Sequence, residues 1–129
     1  MIYQVSEKRF HSGFYADAVE SALKEVNSRV KKLYKKYRAE EKDGQDLMRK
    51  AFTPSAPLLI FEDMDTESGK NVQEGYMQIF AGAMQGIRNP KAHENMYISR
   101  EDAVKRLVLA SLLMDKIDEA IRFTNLVEA

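Results

Sequence analysis

Cysteine is absent from the 129 residues, which removes disulfide frameworks, thiolate zinc sites, iron-sulfur clusters and catalytic thiols from the available chemistry. Two histidines are too few for a dedicated imidazole metal cage. An excess of either charge is missing as well. Twenty basic and twenty acidic side chains balance, so any electrostatic argument has to be local. No run of about eighteen apolar residues occurs, which leaves no candidate for a membrane-spanning helix. The opening Met1 to Phe10 mixes Glu7, Lys8 and Arg9 with isolated apolar residues, unlike the continuous apolar core of a signal peptide. Internal repeats and low-complexity segments are also lacking. A soluble cytoplasmic protein is therefore expected, one helical domain over residues 1–129 with 44% hydrophobic residues to build its own core.

What is present is helical periodicity. From Phe14 to Arg38 the positions Ala16, Val19, Leu23, Val26, Val30, Leu33 and Tyr37 alternate spacings of three and four, which puts them on one stripe of a long helix. Ser12 stands where an N-cap belongs. Arg29, Lys31, Lys32, Lys35, Lys36 and Arg38 follow one another without an intervening acid. Such a run reads first as a solvated helix face and second as a surface that attracts phosphates. Glu40 to Gly44 reads as a polar turn and Gln45 to Phe52 as a short helix, ended by the prolines at 54 and 57.

Leu58, Leu59, Ile60 and Phe61 then suggest that the long connection is anchored to the core or to a partner. Its acids Glu62, Asp63 and Asp65 read as a polar loop rather than a cation site. A second long helix spans Lys70 to Arg88 on Val72, Tyr76, Ile79, Phe80, Ala83 and Ile87. Gly75, Gly82 and Gly86 weaken it, and the small residues Gly82, Ala83 and Gly86 imply the close approach of another backbone. Ser99, followed three residues on by Asp102, opens the last helix with a capping-box pattern. Ala103, Leu107, Ala110, Met114, Ile117 and Ile121 repeat the three-four alternation. Between Val108 and Met114 this helix is apolar nearly all round, so it is central or has a second apolar partner, with a homodimer interface as the natural candidate. The pattern predicts an all-α antiparallel bundle of three to four long helices plus one short one.

Chemistry concentrates between the last two long helices, from Gly86 to Asn95. Pro90 stops the helix at Arg88 or Asn89. Were the helix to continue, Arg88 and His93 would point to different sides; fully extended, they would stand about 16 Å apart. A turn at Pro90 is what brings them to one cleft. An always-protonated guanidinium and an imidazole near neutrality, flanked by an amide, are the minimal set for moving a phosphoryl group without a metal. The bland reading stands beside it: a histidine after a helix caps or faces water, and an arginine suits a helix C-terminus on dipole grounds alone.

The spacing Arg88, four residues, His93, with Asn89 directly after the arginine, resembles the signature of the HEPN domain superfamily. The segments from His11 to Glu20, from Asp43 to Met48 and from Phe80 to Glu94 resemble, in this order, its Ymh-type branch associated with abortive infection. The resemblance implies a metal-independent endoribonuclease without cofactors, acting as a toxin or phage-defence effector and forming a homodimer. It implies His93 as acid and base, Arg88 as clamp on the phosphate and Asn89 as a positioning residue. RNA is the expected partner, with Lys91, Glu94, Lys32, Lys35 and Lys36 as candidate substrate contacts. A regulatory or antitoxin partner is a further expectation. HEPN toxins silenced by nucleotidylation often carry a tyrosine two residues after the histidine; here that position is Asn95, and Tyr97 lies four residues on. His11 is read as structural. The competing expectations are a non-catalytic helical module that binds RNA or protein, and a helical dimerisation domain whose turn is purely structural.

Overall fold

A computed structural model of the chain describes residues 15–88 and 98–128. Helix α1 spans Tyr15–Arg38, α2 Gly44–Phe52, α3 Glu67–Gly82 and α4 Arg100–Thr124, with a π-helical turn over Ala83–Ile87 extending α3. The chain is an all-α bundle, and no strand occurs among the described residues. None of the described helices is long and apolar enough to cross a membrane. Ser12, the expected first N-cap, lies outside the described residues.

Most positions of the periodic stripes form the core, but Tyr37 and Ile79 do not: they are 40 and 41% exposed. Val19, Leu23, Val26, Val30 and Leu33 of α1 are buried, as are Ala103, Leu107, Ala110, Met114 and Ile117 of α4. The stripe on α1 is wider than its large residues suggest: Ala18, Ala22, Asn27 and Tyr34 are buried too. Ser99 caps α4 by accepting from the amide of Asp102 at 3.1 Å, and Asn125 ends it in the left-handed conformation at φ 58°, as asparagine tolerates.

The connection from 53 to 66 is anchored in the core. Leu58, Leu59 and Phe61 are buried, and Phe52 stacks on both Phe61 and Phe80, with centroids 5.3 and 4.4 Å away. Gln73, fully buried on α3, donates to the carbonyls of Phe52 and Leu59 at 2.9 and 2.8 Å and accepts from the amide of Phe61 at 3.2 Å. Its whole amide is thus spent on fastening that connection. The acidic stretch serves the loop: Asp63 accepts from the amide of Asp65 at 2.9 Å. Among the described residues no group of three or more histidines or acids is placed to hold a metal.

The cross-contacts fix the helix directions. Arg29 meets Met114 and Asp118, while Lys36 and Tyr37 meet Val127, so α1 and α4 lie side by side with residue numbers rising together, and the expected antiparallel arrangement does not hold for this pair. Asp43 at the start of α2 meets Arg88 beyond the end of α3, and Phe52 at its end meets Gln73, so α2 and α3 are antiparallel.

Two expectations about surfaces change. Gly82 and Gly86 are exposed, and an added Cβ at either would find nothing within 4 Å, so no described backbone approaches them. The close approach is at Gly69, where a Cβ would stand 1.8 Å from the carbonyl oxygen of Asp63. The outer side of α4 exposes Val104, Val108 and Leu112 to 42, 56 and 41%. Their spacing of four forms a ridge that no described part of the chain covers.

Candidate functional site

Arg88 lies directly beyond the π turn. Its amide donates to the carbonyl of Ala83 at 2.9 Å, a five-residue closure in place of the usual four. A π turn acts as one residue inserted into the helix. At 100° per residue, an unbroken α-helix would place Arg88 about 80° around the axis from the buried Phe80. With one residue absorbed, Arg88 falls roughly 20° from it on the other side, so the guanidinium turns toward α2 instead of solvent. Its side chain is accordingly only 16% exposed, with Nη1 3.6 Å from Oδ2 of Asp43.

Asp43 is the residue before α2, held extended at φ −146°. Its Oδ1 accepts from Nδ2 of Asn27 at 2.6 Å, while Oδ1 of Asn27 accepts from the amide of Gly44 at 3.0 Å. One buried amide on α1 therefore fixes both the carboxylate and the first turn of α2. Gly44 has φ +60°, a conformation that favours glycine. Lys31 adds a second cation 3.9 Å from Asp43. Partial burial pushes the Asp43 carboxyl up, but the Asn27 hydrogen bond and the charges of Arg88 and Lys31 outweigh it and hold the group below the usual aspartate range. The result is an ionised carboxylate that orients one edge of the guanidinium. A guanidinium carries five N–H donors, and the one ion pair it makes among the described residues does not use them all.

The other expected site residues divide. Asn89, Lys91, His93 and Glu94 lie outside the described residues. Lys35 turns to Glu41, 2.8 Å away, an ion pair that raises the lysine and lowers the glutamate. Lys32 and Lys36 share a different stripe of α1 with Arg29, at spacings of three and four, and Lys36 donates to the carbonyl of Val127 at 2.8 Å. Arg29, Lys32, Ser28 and Glu25 face Ser111, Asp115, Asp118 and Glu128 across a cleft of about 360 Å³ between α1 and α4. The basic run is thus split by helical phase between two sides of α1. Sequence reasoning missed Asn27 and Asp43. The available signals were an amide inside an otherwise apolar stripe and an acid followed by glycine at a helix start.

The fold and this cluster define a small all-α domain in which an arginine at the end of the third helix is tied to the start of the second. Residues 1–117 match the Hypoth_Ymh family, described as protein of unknown function. The chain belongs to that family. No curated protein and no solved structure matches it significantly.

Proposed function

We propose that the chain is a HEPN-type, metal-independent endoribonuclease working in the cytoplasm as a toxin or phage-defence effector in abortive infection. The observation that carries this reading is the Arg88–Asp43 ion pair. It joins two of the segments that resemble the HEPN branch, 43–48 and 80–94, around a partly buried guanidinium suited to a phosphate. In the proposed reaction the ribose 2′-oxygen attacks the adjacent phosphorus and loses its proton to a base. The bond from phosphorus to the 5′-oxygen breaks, and an acid protonates that oxygen. The products are a 2′,3′-cyclic phosphate and a free 5′-hydroxyl. Arg88 stabilises the charge that gathers on the phosphoryl oxygens, His93 moves the protons and Asn89 positions the phosphate. Lys91 and Glu94 complete the proposed substrate contacts.

The reaction needs both a base and an acid, whereas one chain brings one motif histidine. A twofold homodimer with a composite cleft supplies the second, and light scattering should then give twice the 14.8 kDa chain mass. A regulatory or antitoxin partner would keep such an enzyme silent.

The test is incubation of the purified protein with single-stranded and structured RNA in the presence of a chelator, followed by analysis of the product ends. Wild type should leave cyclic-phosphate ends, and Arg88→Ala and His93→Ala should each abolish cleavage with helix content and mass unchanged. Unfolding of both variants would make the turn structural instead.

The exposed ridge Val104, Val108 and Leu112 favours a second reading, a non-catalytic module for RNA or protein interaction. RNA bound by wild type and by His93→Ala alike, without cleavage by either, would select it.

A further inference from the structure

The segment after α4 doubles back onto α1. Glu128 grips Arg29 with both oxygens, Nε to Oε2 and Nη2 to Oε1, each at 2.8 Å. Its neighbour Val127 accepts from Lys36 Nζ at 2.8 Å, and its amide donates to the Tyr37 hydroxyl at 2.8 Å. The parallel two-point contact of a carboxylate on a guanidinium is also the geometry in which arginine takes a phosphate. Arg29, Lys32 and Lys36 occupy one stripe of α1, and the chain's own carboxylate and carbonyl now sit on two of the three.

We propose that the segment Asn125–Glu128 is a built-in competitor for a single-stranded nucleic-acid backbone, and that Arg29, Lys32 and Lys36 take its phosphates once Glu128 withdraws. This rests on the reading that the substrate is RNA. Charge supports it. Glu25, Asp115, Asp118 and Glu128 border the cleft and outnumber its two lining cations, Arg29 and Lys32, while the segment is in place, so a polyanion is repelled. With Glu128 withdrawn that excess of acids is halved, and Lys32 and Lys36 lie exposed on α1. Asp118, 2.6 Å from Arg29 Nη2, keeps the guanidinium oriented after release. Glu128 is 44% exposed where it meets Arg29 and Val127 is 58% exposed, so these two residues can leave α1 without uncovering a core side chain of their own. The function assigned to it is regulation: full access to the basic stripe requires displacement of the chain's own anion.

The experiment measures binding of a fluorescein-labelled oligothymidylate by anisotropy over a series of salt concentrations. This probe has phosphates but no 2′-hydroxyl, so binding is read independently of the proposed cleavage. Glu128→Gln keeps the shape of the side chain and removes its charge. It should bind about fivefold more tightly than wild type at low salt, with a log-log salt slope steeper by about 0.7 for each added phosphate contact. Adding Lys36→Gln should cancel the gain. Tyr37→Phe, which loosens the same segment without changing charge, should shift affinity in the same direction and guards against a folding defect in Glu128→Gln. Equal affinity and slope for wild type and Glu128→Gln, a gain that survives Lys36→Gln, or absence of binding by every variant would each overturn the proposal. None of these outcomes depends on whether RNA is cleaved.

Discussion

Gln73 shows how much one polar side chain can hold. Its amide satisfies two carbonyls and one amide of the connection that leaves α2, all away from water. Gln73→Leu is nearly as large but leaves those three groups without a partner, so urea unfolding should show a loss of about 2–4 kcal/mol. Asp43 makes a prediction of opposite character. Its folded-state carboxyl titrates below its unfolded value, so its contribution to stability is complete above about pH 4 and disappears as pH falls through the folded value. Wild type should therefore lose urea resistance more steeply than Asp43→Asn as pH falls below about 4. A polar residue such as Asn27 or Gln73 inside an apolar stripe does not announce its partners, because these come from segments 12 to 21 positions away. The large apolar residues needed no such information: a period of about 3.6 already puts Val19, Leu23, Val26, Val30 and Leu33 on one side.

Among the elements, α3 departs furthest from what its sequence suggests. Gly82, Ala83 and Gly86 read as the close approach of another backbone, yet Gly82 and Gly86, like Gly75, face open space while Gly69, at the N-terminal turn, is the one pressed against a backbone. Periodicity reports which face a residue occupies but not what stands opposite. Gly75→Ala and Gly82→Ala should each raise stability by about 0.5–1 kcal/mol, since a Cβ lowers the entropy of the unfolded chain and meets nothing in the fold. Gly69→Ala should destabilise by more than either gain and displace the Asp63 carbonyl. Thermal unfolding of the three variants separates the two kinds of glycine. The start of α4 was legible from Ser99 and Asp102 because a cap is a local interaction. Ser99→Ala should cost about 1 kcal/mol.

At the level of the whole molecule, the anchored connection from 53 to 66 ties the ends of α1 and α4 to one segment, since Arg38 donates to the Pro57 carbonyl at 3.2 Å and Ile60 to the Thr124 hydroxyl at 3.0 Å. The direction of the helices is set earlier, where Glu41 and Asp43 meet Lys35, Lys31 and Asn27 in turn, so that the chain runs back along α1 before α2 begins. An all-α bundle was legible from the stripes; the pairing of its helices was not, because it is decided by contacts such as Arg29 with Asp118. The site was legible at Arg88 as a residue type, whereas its orientation depends on the π turn. That turn makes the direction of the arginine a matter of chain length as well as chemistry. Removing Gln85 deletes no charged group and no core side chain, yet it lets the ladder close to its ordinary pitch. The bundle should still melt cooperatively, with the guanidinium kept against Asp43 on a regular helix, because seven ordinary steps from Phe80 give the same phase as eight with one absorbed. A crystal structure of the deletion variant, with its cleavage rate, would show whether the extra residue is ballast or the pin that keys the two helices together.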